Sequence, residues 1–189
     1  MDRLGNRRWR AWRPQPKCPV RPPAVVMRGV HGKHLPQVPP LLRRLAQAHP
    51  YAAKHIAGLR TVIVTGPRID PASLPASPGV EVYGFVPSLH RMLAACDVAV
   101  VQGGLTTTME LTALRRPFLY FPLHHHFEQQ IHVTHRLDRY GAGTRMDYTT
   151  ATPESIADAL VLELTRPIAY HAITTDGARR AAAMITKMI

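Results

Sequence analysis

The chain has 189 residues, of which 46% are hydrophobic and 19% charged, enough for one domain with a substantial core. Its formal charge of +12 sits at one end: thirteen of the 24 Lys and Arg but only one acid fall in residues 1–60, whereas residues 61–189 carry eleven of each sign. The downstream part therefore has no charge excess of the kind that binds nucleic acid, two distant cysteines make no disulfide framework, and no run approaches the ~20 apolar residues of a membrane helix.

Residues 1–40 hold eight of the 18 prolines and show little periodicity. Such a basic, Pro-rich stretch buries too little apolar surface to offset its ordering entropy, so residues 1–38 read as a disordered segment and residues 39–189 as the folded domain. Trp9 and Trp12 among the arginines fit a solvated tail. Within the segment, Ala24-Val-Val-Met-Arg-Gly29 has the character of a short strand. From Leu41 the pattern turns regular: Leu41, Leu42, Leu45 and Ala46 make a helical face, which Pro50 is expected to interrupt before the helix resumes to Ala57.

Thr61-Val-Ile-Val-Thr65 is a β-branched run stopped by Gly66-Pro67, and Val80-Glu-Val-Tyr83 a second strand stopped by Gly84. A short helix is expected over Pro87–Ala95, a strand over Asp97–Val101, and a helix from Leu105 to the Arg115-Arg116-Pro117 stop, where the two arginines suit the helix dipole. Phe118-Leu-Tyr-Phe121 is another buried strand, followed by a helix through Gln129 to Arg139 that ends at Gly141. Thr152-Pro153-Glu154 is a helix start with cap, first-position proline and first-turn acid. A last helix is expected over Asp176–Met188. Short apolar strands alternating with helices mean an α/β fold, a Rossmann-like parallel sheet with helices on both faces. Ligands of such sheets bind beyond the carboxyl ends of the strands.

Three loops fall at those ends. Gly103-Gly104-Leu105-Thr106-Thr107 joins a strand to a helix N-terminus, where unpaired N–H groups and the dipole favour a phosphate. No Lys follows the glycines, so this is not a P-loop. Glu110, one turn on from Thr106 and on the same face, suits ribose hydroxyls. The second loop, Pro122–Gln129, is dense in polar groups, and Glu128 and Gln129 suit the hydroxyls of a sugar. Its histidines 124, 125 and 126, with His132 and His135, lack the spacing and the acid or cysteine of a closed metal site. The third loop is Gly84-Phe85-Val86. Cys96 reads as a small buried hydrophobe.

Ala95-Cys-Asp97, the strand after it, Gln102-Gly-Gly-Leu-Thr-Thr-Thr-Met-Glu110, Pro117, Pro122 and Glu128-Gln129 together resemble the donor-binding half of GT-B glycosyltransferases. The bacterial peptidoglycan lipid-intermediate N-acetylglucosaminyltransferases are nearest in pattern, and the UDP-glycosyltransferases more distant. The likeness covers about residues 60–165. It implies that Gly103, Gly104, Thr106 and Thr107 cradle the diphosphate, that Glu110 holds the ribose, that Phe85 and Val86 frame the base through main-chain bonds, and that Glu128 and Gln129 meet the donor sugar. Gln102 stands where the UDP-glycosyltransferase pattern has His, His132 where it has Asn, and Arg115-Arg116 precede Pro117 in place of smaller residues.

The resemblance implies a single GT-B C-terminal-type domain and transfer of a hexosyl group from a UDP-sugar, with neither metal nor cofactor. A GT-B enzyme carries its acceptor site and usual catalytic base in a second domain, for which this chain has no room, so no catalytic residue is assigned here. The implied partners are the UDP-sugar, an acceptor-domain protein and, through it, a membrane surface; the implied location is cytoplasmic. The alternative is a non-catalytic nucleotide-sugar-binding or interaction module.

Overall fold

The computed structural model describes residues 24–28 and 38–188. Their strands are β1 (Ala24–Arg28), β2 (Arg60–Val64), β3 (Val80–Tyr83), β4 (Val98–Gln102), β5 (Phe118–Phe121) and β6 (Thr144–Arg145). All pairings are parallel, in the order β3-β2-β1-β4-β5-β6. This is the doubly wound order, which reverses direction between β1 and β4 and opens a crevice above that point. The helices are α1 (Val38–Ala52), α2 (Leu89–Ala95), α3 (Leu105–Ala113), α4 (Thr134–Tyr140), α5 (Pro153–Thr165) and α6 (Gly177–Thr186).

β1 is the central strand, with Val25 opposite both Thr61 and Val98. The sheet therefore begins upstream of the boundary expected at residue 39. Trp9, Trp12 and Cys18 lie outside the described residues.

Side chains alternate across each strand. On one face Ile63, Val98, Val100, Leu119 and Phe121 pack with Leu41, Leu42 and Leu45 of α1 and Ile156 and Leu160 of α5. On the other, Val62, Val64, Ala99, Val101, Phe118 and Tyr120 meet Met92 and Leu93, Leu111, Val133 and Leu137. Cys96 belongs to this second layer, with its thiol donating to the Leu93 carbonyl at 3.1 Å.

Local chemistry sets the helix limits. α1 starts three residues earlier than the apolar pattern indicates because Pro39 and Pro40 fit a first turn, where N–H groups have no helical acceptor. Pro50 falls inside its last turn and does not break it. The start of α5 is as expected but better satisfied: the Thr152 hydroxyl accepts from Ser155 N–H at 3.2 Å, while Ser155 Oγ accepts from Thr152 N–H at 2.9 Å. α6 buries none of its residues against the described chain.

His49 links α1 to β2, its Nδ1 lying 2.9 Å from Thr61 Oγ1 in the buried layer. Burial pushes its pKa below the usual imidazole value, opposed by a backbone hydrogen bond at Pro78. The folded state thus takes up this proton less readily than the unfolded chain. The stability from neutral His49 is complete above the ordinary imidazole pKa and is lost as pH falls from there toward the depressed folded value. Thermal melts should show the midpoint dropping as pH falls below the ordinary imidazole pKa, and a His49→Gln variant should show a shallower drop.

Candidate functional site

The site is built where β4 ends. Gln102 is its last residue and is only 5% exposed, yet neither its Nε2 nor its Oε1 has a hydrogen-bond partner among the described residues. Leaving a buried amide unpaired costs about 1–3 kcal/mol. The chain then turns sharply: Gly103 N–H donates to Phe121 O at 3.2 Å, and Gly104 N–H donates back to Gln102 O at 2.8 Å. Gly104 caps α3 with no side-chain bond, and the helical ladder begins with Thr108 N–H to Gly104 O at 3.1 Å. The N–H groups of Leu105 and Thr106 precede that first rung, at the positive end of the helix dipole.

The two glycines differ in what surrounds them. A Cβ on Gly103 would lie 3.1 Å from Pro122 Cα and 3.4 Å from Gln129 Cβ, so this residue lets the two carboxyl-edge loops touch. Among the described residues, a Cβ on Gly104 would meet nothing within 4 Å. Its φ of −71° and ψ of 129° suit any residue. Neither packing among the described residues nor backbone conformation calls for glycine at 104.

The expected residues of α3 fall as follows. Thr106 is exposed, Glu110 half-buried on the same face one turn later, and Thr107 is mostly buried, 8% exposed. Phe85 is 68% exposed, whereas the Val86 side chain is buried in the core, leaving its main chain as the part that can meet a ligand. Both follow β3, three strand spacings from β4, or about 14 Å along the carboxyl edge.

In the loop after β5, Glu128 is exposed. Gln129 is buried, and its Oε1 accepts from Leu123 N–H at 2.9 Å, so its carbonyl oxygen serves the loop. The expected helix here is not uniform: residues Glu128–Val133 form a π-helical turn before α4 begins. Thr134 Oγ1 bonds the Gln129 carbonyl at 3.1 Å within it. Such turns often mark functional sites.

The widened turn brings in a residue that sequence reasoning missed. Gln130 Nε2 donates to Pro122 O at 3.2 Å and Leu123 O at 3.0 Å. Adjacent glutamines before a helix were the available signal. His124 and His125 are exposed and contact each other, Nδ1 to Nε2, at 2.8 Å. No cluster of three or more His, Cys, Asp or Glu suited to a cation exists among the described residues.

Arg115 differs from its expected role. It does not simply face the helix end: its guanidinium donates to Tyr170 O at 2.8 Å and Ile168 O at 3.0 Å, tying down the segment after α5.

A parallel sheet of this order, with a glycine turn, an open helix N-terminus and a polar loop at its carboxyl edge, defines the C-terminal half of a GT-B glycosyltransferase. Residues 40–186 match the model of the glycosyltransferase family 28 C-terminal domain, and the chain belongs to that family. An uncharacterized glycosyltransferase of Methanosarcina mazei is 32% identical over 114 residues, covering 60% of this chain and 30% of the relative. The UDP-N-acetylglucosamine–N-acetylmuramyl-(pentapeptide) pyrophosphoryl-undecaprenol N-acetylglucosamine transferase of Mycolicibacterium smegmatis is 31% identical over 145 residues, covering 69% of this chain and 37% of the relative. Among solved structures, the calicheamicin glycosyltransferase CalG4 superposes with a TM-score of 0.62 at 26% identity, over 80% of this chain and 36% of that one. MurG of Acinetobacter baumannii shares the fold with a TM-score of 0.63 at 18% identity, over 89% of this chain and 50% of that one. The chain thus spans about a third of the curated relatives' length.

Proposed function

We propose that this chain binds a UDP-linked hexose and contributes the donor half of a glycosyl transfer completed by an acceptor-bearing partner or domain. The observation that carries the reading is Gly104: a glycine with ordinary backbone angles and, among the described residues, open space around it, at the N-terminus of α3. A residue that folding does not require to be glycine fits close approach by something outside the chain, and a phosphate is what a helix N-terminus attracts.

The distance along the carboxyl edge supports a nucleotide over a bare phosphate. From the Phe85-Val86 loop to the glycine turn is about 14 Å, a length for an extended nucleoside diphosphate lying across the switch point. In this pose Val86 offers main-chain groups to the base, Glu110 takes the ribose hydroxyls, and the first turn of α3 with Gly103, Gly104, Thr106 and Thr107 takes the diphosphate. Glu128 lies toward the sugar, and Gln129, buried with its Oε1 taken by the Leu123 N–H, has only its Nε2 to offer there.

Glycosyl transfer leaves a nucleoside diphosphate, and charge builds on it as the glycosidic bond breaks. Fixed N–H dipoles aimed at that oxygen stabilise the transition state without reorganising. The Mycolicibacterium relative takes its sugar from UDP-N-acetylglucosamine, and SpnG, a spinosyn rhamnosyltransferase of the same fold, is solved with thymidine diphosphate. We assign the uridine nucleotide here on the strength of the former. An acceptor on a lipid carrier, as that relative's name describes, would bring this chain from the cytoplasm to a membrane surface through its partner.

Thermal shift and calorimetry with UDP, UDP-N-acetylglucosamine and TDP test the reading. UDP and its sugar should stabilise the chain more than TDP; no stabilisation by any of the three overturns the site. Glu110→Ala should weaken UDP and UMP alike, by about 10-fold to 100-fold, because both carry the ribose and bonds to a carboxylate contribute about 1.5–3 kcal/mol. Equal binding by variant and parent removes Glu110 from the site.

A further inference from the structure

We infer that Arg145 is a positioning residue for the sugar end of the cleft: its guanidinium fixes the Gln130 amide, and that amide holds the Pro122–Leu123 peptide against the glycine turn. The inference rests on the donor site proposed above.

The Pro122–Leu123 dipeptide has three polar main-chain groups, since proline carries no N–H. All three are bonded by two consecutive glutamines, and the Leu123 carbonyl also accepts from the His126 N–H at 3.1 Å. Gln130 Nε2 donates to both carbonyls, and Gln129 Oε1 accepts the Leu123 N–H. Gln130 can do this only one way round. Its NH₂ must face the carbonyls, and its Oε1 then points away and needs a donor. Arg145 Nη2 supplies one at 2.5 Å. A guanidinium only donates, so it rejects the flipped amide, which would also set Oε1 against two carbonyl oxygens.

Arg145 is itself well anchored. It pairs with Tyr120 across the sheet, and Met146 N–H donates to Tyr120 O at 2.9 Å. Its backbone thus belongs to the sheet while its side chain reaches the π-helical turn. On the far side of the loop there is no slack, because Pro122 abuts Gly103 too closely for even a methyl group to enter freely. A loop released from Gln130 would shift relative to the diphosphate turn and carry exposed Glu128, the proposed sugar contact, with it. Arg145 acts through Gln130, so its effect belongs to the sugar and not to the nucleotide.

The test compares the full chain with Arg145→Ala and Arg145→Lys, using amide hydrogen exchange at Leu123 and calorimetry with UDP and UDP-N-acetylglucosamine. Arg145→Ala should speed Leu123 exchange several-fold without altering exchange in β4. It should bind UDP within about twofold of the parent but lower the affinity for UDP-N-acetylglucosamine relative to UDP by about fivefold. Arg145→Lys, which keeps a donor, should recover part of both effects. Unchanged Leu123 exchange overturns the proposal, as does an unaltered ratio of the two affinities, the result a merely structural arginine would give. A parent chain that binds neither nucleotide overturns the donor site and the proposal together, whereas a parent that binds both, with the ratio unaltered in the variant, overturns the role of Arg145 alone.

Discussion

Gly143→Ala should cost the chain about 2–5 kcal/mol of stability and lower its melting midpoint by roughly 10 °C, with the sheet's β5–β6 edge failing first. Two effects add. Gly143 has a φ of +68°, a left-handed conformation that strains any residue with a Cβ. The new methyl would also run into the Phe118 ring, 2.6 Å from Cζ and 2.8 Å from Cδ2. That ring cannot step aside. It is fully buried, with Tyr120 tilted against it and Tyr170 edge-on, both at 6.2 Å between centroids. Tyr170 is held in turn by the Arg115 bond to its carbonyl. Gly141→Ala is the control: its φ of +59° imposes similar strain, but nothing among the described residues lies within 4 Å of its added methyl, so it should lose only about 1–2 kcal/mol. Urea melts of the two variants separate strain from collision. Equal losses would mean that the ring yields and that the β5–β6 edge is softer than its packing indicates.

The Phe118 contact also shows where sequence reading stops. The strand Phe118–Phe121, the Gly103-Gly104 turn and the Thr152 cap were legible because each is encoded within a few residues: an apolar run, a glycine pair before a helix, a hydroxyl before Pro-Glu. What was not legible depends on partners far along the chain. β1 is a five-residue strand among prolines, and its place at the centre of the sheet follows from pairing with residues near 61 and 98. β6 has two residues, too few for any period, and exists because Tyr120 offers a free edge. The glutamine pair is a finer case. In a regular α-helix, adjacent side chains diverge by about 100°, so a helical reading sends only one of Gln129 and Gln130 to the loop. In the structure both side chains reach Pro122–Leu123 from the first residues of the π-helical turn. The loops at the carboxyl edge were therefore readable, whereas the side chains that hold them in register were not.

Gly104→Ala should have the opposite character to Gly143→Ala, a small effect on folding with a large one on binding. Nothing among the described residues lies within 4 Å of the added methyl, and a φ of −71° accommodates alanine. The one cost to the fold is a poorer helix cap, about 1 kcal/mol or less. If the diphosphate rests against this turn, the methyl occupies the space its oxygens need and holds them off the N–H groups of Leu105 and Thr106. UDP affinity should then fall tenfold or more, a loss of at least about 1.4 kcal/mol, with UDP-N-acetylglucosamine falling alongside it because both share the diphosphate. Gly103→Ala provides the contrast. Its methyl would press on Pro122 Cα at 3.1 Å, so stability and binding should decline together as the two loops are forced apart. The pair thus separates a glycine kept for the ligand from a glycine kept for the fold. Calorimetry on Gly104→Ala decides it: UDP affinity equal to the parent's would return Gly104 to an ordinary helix cap and move the phosphate away from α3.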